Sequence, residues 1–218
     1  MALKFLKIDL IRVKRFWYML LICFAVLALL GKRNGMPGLF GLGYCLFIGI
    51  IMSTFPANLE SGNERGFLQM LPAKPGEDIK GHFLFAAVCT LVFTVIAFVL
   101  IAAARAINPS LPLFNIEGVS ISGLYPVLIG LALVFSGIEL LLLTVFRYKS
   151  VQMQQLLRLI PAFVFFFGAN LISDRTQEMR IPDLSFGMKP LYIAILTGCI
   201  IVFIALAEIS ARISTRRK

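Results

Sequence analysis

Apolar residues fill this chain in long blocks, and the polar residues gather in short stretches between them. Several uncharged blocks run to about 16–26 residues. A helix needs roughly 20 to cross the hydrocarbon core of a bilayer. Six apolar blocks predict membrane-spanning helices over about 16–30, 38–57, 83–104, 123–146, 159–173 and 190–207. Trp17 and Tyr18 open the first, at the depth where amphipathic rings favour the interface. The stretch "GKRNGMPG" is a tight turn, and Pro37 suits the first position of the second helix. Gly38, Gly41 and Gly43 allow close packing there. The fifth block is short, with Pro161 near its start and Asn170 inside it.

Ahead of the first block, Leu3, Leu6, Leu10 and Val13 recur at helical spacing, while Lys4, Lys7, Lys14 and Arg15 gather on another side. This predicts an interfacial helix over 1–15, lying along the membrane. The basic start and "AVLALLG" share features with a cleaved leader, but the later spans make a removable leader unnecessary. The expected fold is an all-α integral membrane protein: six transmembrane helices in one domain over 1–218, with no separate soluble domain.

Composition agrees with the pattern. The 218 residues are 59% hydrophobic and only 15% charged, with a mean hydropathy of +0.91, whereas a soluble domain carries nearer 25% charged residues. The net charge of +10 does not describe a nucleic-acid surface, because the basic residues sit at the ends of apolar blocks, facing headgroups. Cys23, Cys45, Cys89 and Cys199 all lie inside apolar blocks and read as small core residues. The single histidine, His82, excludes a multi-histidine metal site, so no metal is expected. Six crossings put both termini on one side, together with about fifteen of the 21 Lys and Arg residues. The positive-inside rule makes that side the cytoplasm.

The longest polar interruption in the N-terminal half, "ESGNERGFLQMLPAKPGEDIKGHF" over 60–83, is then cytoplasmic. Ser61 and Glu64 form a capping-box pattern, and Glu64 also suits the positive end of a helix. Phe67, Met70 and Leu71 share a face, with Leu68 beside it, until Pro72 ends the helix. Pro75, Glu77 and Asp78 start a second helix that continues into the third span. The apolar face of the short helix has two readings. It lies on the lipid surface, or it is a knob for a cytoplasmic partner, set where movement of that partner passes directly into a span.

The residues from Glu64 through Leu71, Pro72, Ala73, Gly81 and Phe83 carry a resemblance. The pattern is similar to the second cytoplasmic loop of permease subunits of the type-2 ABC transporter family, and the six-span layout and N-terminal helix agree with it across the chain. His82 and the "KPG" of 74–76 depart from the usual residues. The resemblance implies a dimeric permease, formed with a second copy or a related permease and driven by separate cytoplasmic ABC ATPase subunits that bind ATP and Mg. It makes 61–71 a coupling helix that docks on the ATPase through Asn63, Glu64, Phe67, Leu68, Met70, Leu71 and Pro72. It implies export, across the plasma membrane of a bacterium, of a hydrophobic or amphipathic substrate (peptide, toxin, antibiotic or lipid). Phenol-soluble modulin exporters and lantibiotic immunity permeases are members of that family, and the chain is similar to them. The chain itself has no G-x-x-x-x-G-K-[ST] phosphate loop, so no nucleotide site or catalysis is expected in it.

Glu139, within the fourth block, is the most conspicuous ionisable group in the membrane. An acid near a helix centre costs about 2.5–3.5 kcal/mol to insert, so it should face the bundle or an aqueous path. It is a candidate translocation-path residue, the carrier in an alternative proton-coupled secondary transporter, or a hydrogen-bonded packing residue. Asn170 has the same two sides, path residue or interhelical hydrogen bond. Glu208 and Arg212 are spaced for an ion pair along one helix.

Overall fold

The computed structural model describes residues 2–14, 37–56, 76–107, 121–146, 160, 163, 164, 167 and 189–216. Among them are five helices: α1 (Ala2–Val13), α2 (Pro37–Ser53), α3 (Glu77–Ile107), α4 (Ile121–Val145) and α5 (Lys189–Arg216). The segments Glu77–Val99, Pro126–Val145 and Tyr192–Arg216 are long and apolar enough to cross a membrane. The predicted first span and the coupling helix over 61–71 lie outside the described residues, as does most of the fifth span.

α3 is the centre of the assembly. On one side Val13, Leu46, Ile50, Phe85, Phe93 and Ala132 join α1, α2, α3 and α4 in one apolar core. On the other, Ile79, Phe83, Ala86, Leu140 and Phe203 form a second core with α4 and α5. Phe83 and Phe203 pack at 5.3 Å between ring centroids. Apart from these cores the exposure pattern is inverted relative to a water-soluble bundle. Leu91, Val95, Ile193, Ile201 and Ile204 point outward, while Thr90, Thr94 and Thr144 point inward, each bonded to the carbonyl four residues back. Such back-bonding satisfies hydroxyls where water is absent.

Between α4 and α5, close backbone approach is set by two glycines of α4. A Cβ on Gly130 would lie 3.0 Å from Cys199, and one on Gly137 would lie 3.0 Å from Leu206 and Phe203. These two, seven residues apart on one face of α4, form the trough in which α5 rests. Because contacts on α5 advance in sequence with those on α4, the two helices run parallel. By contrast Gly76 meets Ala211 and Phe83 meets Phe203, so α3 and α5 are antiparallel.

α5 extends past the apolar block to Arg216, carrying Glu208 and Arg212 on one helix as their spacing predicts. Its last turns stay helical because Ser210, Ala211 and Ser214 are buried against the bundle while Arg212 and Arg216 face outward. α1 is helical as predicted, yet its protein-facing side is Phe5, Asp9 and Val13, spaced by four residues. Leu3, Leu10 and Ile11 are exposed, interleaved with exposed Lys4, Lys7 and Lys14. That mixed surface suits the interface, where lysine stems lie along apolar surface and the ammonium groups reach the headgroups.

Candidate functional site

Polar contacts gather where α2, α4 and α5 end and α3 begins. Gly76 precedes α3 with φ of +84°, a left-handed conformation that glycine adopts without strain. Its carbonyl accepts the first helical bond, from Lys80 N at 3.1 Å. A side chain here would also collide with α5, since a Cβ would lie 3.1 Å from the Ala211 carbonyl oxygen.

One turn later α3 makes two very different ion-pair contacts. Lys80 Nζ lies 2.7 Å from Glu208 Oε2 on α5, and both side chains are half exposed, at 48% and 49%. Arg212 Nε is 3.7 Å from the other oxygen, so the expected pairing along the helix exists but the nearer partner comes from α3. His82 Nδ1, in contrast, is bonded at 2.8 Å to Asp9 Oδ2 on α1, with both residues buried. With Asp9 ionised, the ring nitrogen carries the hydrogen and donates it, since a carboxylate only accepts.

The third contact joins α2 to α4. Glu139 is fully buried, and Thr54, immediately after α2, donates its hydroxyl to Glu139 Oε1 at 2.6 Å. Thr54 Oγ1 also lies 3.1 Å from the Ile51 carbonyl, so its one hydrogen has two acceptors. The carboxyl group is held in the packed interior at a helix–helix junction. Ser136, one turn before it on α4, is buried with no hydrogen-bond partner for its hydroxyl among the described residues.

Sequence reasoning singled out Glu139 but neither Thr54 nor Asp9, and found no partner for His82. Asp9 carried a signal: it is the only acidic residue before Glu60, alone among basic residues in a helix meant for the interface. Such a group calls for a specific partner. Asn63, Glu64, Phe67, Leu68, Met70, Leu71, Pro72 and Asn170 lie outside the described residues. Among the described residues no group of three His, Cys, Asp or Glu side chains could hold a metal ion.

Beside this polar end, α3, α4 and α5 leave an apolar groove of about 720 Å³. Leu84, Leu91, Ile129, Leu133 and Ile204 line it, and Lys80 and Glu208 stand among its lining residues at the polar end.

The long apolar helices, outward aliphatic surface and inward hydroxyls define an integral membrane protein. The family described as ABC-2 family transporter protein matches residues 4–217, and the chain belongs to it. It is therefore a membrane-spanning permease subunit of an ABC transporter, a class that works in association with an ABC ATPase. No curated protein and no solved structure matches the chain.

Proposed function

We propose that this permease exports a hydrophobic or amphipathic substrate, taking its driving force from cytoplasmic ATPase subunits through the coupling helix at 61–71. The observation that carries the reading is where that stretch is attached. It lies between Thr54 and Gly76, and both ends are tied to the rest of the bundle: Thr54 to Glu139 on α4, and Gly76 to Ala211 on α5. Lys80 and His82, within two turns of Gly76, add links to α5 and α1. A force on 57–75 thus reaches every described helix through buried or backbone contacts.

Six crossings fit the helix directions. Parallel α4 and α5 require the chain between 147 and 188 to return from one end of the bundle to the other, the course a fifth span provides. A second permease copy completes the path in this reading. The exposed Ile160, Phe163, Val164 and Phe167, at helical spacing, offer an apolar stripe for it. ATP and Mg belong to the partner ATPase. ATP binding there shifts the permease equilibrium only through unequal affinity for its two states, and the coupling helix is where that inequality acts.

The double variant Phe67→Asp/Leu71→Asp tests this. It should insert in the membrane as the parent does, yet lose co-purification of the ATPase. Undiminished ATPase association would overturn the assignment of 61–71. The burial of Glu139 supports a second reading, a proton-coupled carrier. Glu139→Gln distinguishes them: it keeps the oxygen that Thr54 bonds, so ATP-driven transport survives it, whereas a proton carrier is inactivated.

A further inference from the structure

Among the polar contacts described above, the Asp9–His82 bond joins α1 to α3, and the ATP-driven reading does not need it as a site. We infer that Asp9 and His82 are positioning residues that fasten the interfacial helix α1 to α3, so that the two move as one unit when the ATPase acts. The inference rests on the coupling role proposed for 57–75.

The contrast between the two ion-pair contacts of α3 carries it. Asp9 and His82 meet at 2.8 Å with side chains only 2% and 3% exposed. Separating α1 from α3 would break a buried Asp–His hydrogen bond, a costly change in a packed interior. Phe5 and Val13 flank Asp9 on the same face and are buried too, so the contact is shielded along two turns of α1. Lys80 and Glu208, on the opposite side of α3, are half exposed and can exchange their bond for water or headgroups at little cost. The apolar groove of about 720 Å³ also opens on that side, between α3, α4 and α5. Hence α3 is held to α1 by a buried polar bond, whereas toward α5 its ion pair is exposed and the groove lies beside the packed Phe83–Phe203 contact. α2 travels with α3, because a Cβ on Gly49 would lie 3.3 Å from Phe93, while α4 and α5 hold together through Gly130 and Gly137. The seam that yields is the one along the groove, with Thr54–Glu139 as the joint across it.

The test uses distance measurements between spin labels carried on unnatural amino acids in the permease–ATPase complex, reconstituted in lipid nanodiscs. Labels go at the exposed positions Ile11 on α1, Leu91 on α3 and Ile204 on α5. Samples are compared without nucleotide and with ATP, Mg and vanadate. The expected result is an Ile11–Leu91 distance that does not change, beside an Ile11–Ile204 distance that shifts by between about 1–2 Å and a ~5.4 Å helical turn. Asp9→Asn should broaden the Ile11–Leu91 distribution and make it nucleotide-dependent, and Asp9→His combined with His82→Asp should restore it. If Ile11–Leu91 changes in the parent as much as Ile11–Ile204, the fastening is wrong, whatever the variants do. A folded Asp9→Asn that leaves both distances as in the parent also overturns it, reducing the pair to packing. An Ile11–Ile204 distance indifferent to nucleotide, in a complex that hydrolyses ATP, overturns both the fastening and the coupling role beneath it.

Discussion

At the polar end, Gly76 and Glu139 sit in geometry that a substitution would disturb. Gly76 combines a positive φ with an approach to the Ala211 backbone that leaves no room for a methyl group. Gly76→Ala should therefore destabilise by about 1–2 kcal/mol from conformation alone, with the steric contact adding to it. Thermal unfolding of the detergent-solubilised protein should report a lower midpoint. Glu139 divides by chemistry instead. Glu139→Ala removes the interhelical bond, although Thr54 keeps the Ile51 carbonyl as acceptor, and should cost about 0.5–1.5 kcal/mol, while Glu139→Gln keeps an acceptor oxygen and should lie closer to the parent in the same assay. The Lys80–Glu208 pair is too exposed to matter in that way, so Glu208→Gln should leave the midpoint within experimental scatter. Glu139 was legible from the sequence because an acid inside an apolar block must turn inward. Its partner was not, since Thr54 is 85 residues away and hydroxyls are common in such helices. Asp9 and His82 hid for a similar reason, 73 residues apart with no local pattern linking them.

Among the elements, α3 and α4 match expectation closely, because charges or turn residues bound their apolar blocks. α5 outran its apolar block. Hydropathy falls where Glu208 and Arg212 begin, but those side chains reach outward and the helix continues on its small inward residues. On α1, Leu3 and Leu10 turn out as an interfacial helix requires, since the side that leaves water at a membrane is lipid, while Asp9 and Val13 turn in toward the bundle. The α4–α5 trough was invisible to periodicity, since isolated glycines gain meaning only from what faces them. It makes a clear prediction. Gly137→Leu puts a branched side chain where Phe203 and Leu206 already stand 3.0 Å from a Cβ position, so it should cost about 1–3 kcal/mol or more. A disulfide engineered between neighbouring α4 and α5 positions should then form more slowly than in the parent.

For the whole molecule, membrane class followed from apolar block length, and the ABC-2 family membership agrees with the resemblance carried by the loop and the layout. What the folded chain adds is connection. The ends of α2, α4 and α5 and the start of α3 share one polar junction, and 57–75 is spliced into it between Thr54 and Gly76. In the proposed cycle a short amphipathic helix outside the bilayer moves α3 together with α1, and the groove side yields. The chain contains no phosphate-binding loop of its own, so everything in this account depends on a second protein. The most direct measurement is purification of the chain from its native cells in mild detergent, with the co-purifying proteins identified by mass and their stoichiometry determined. The account predicts a stoichiometric partner carrying a G-x-x-x-x-G-K-[ST] loop, present with the parent chain and lost with Phe67→Asp/Leu71→Asp. A homogeneous, intact preparation with no such partner would contradict it.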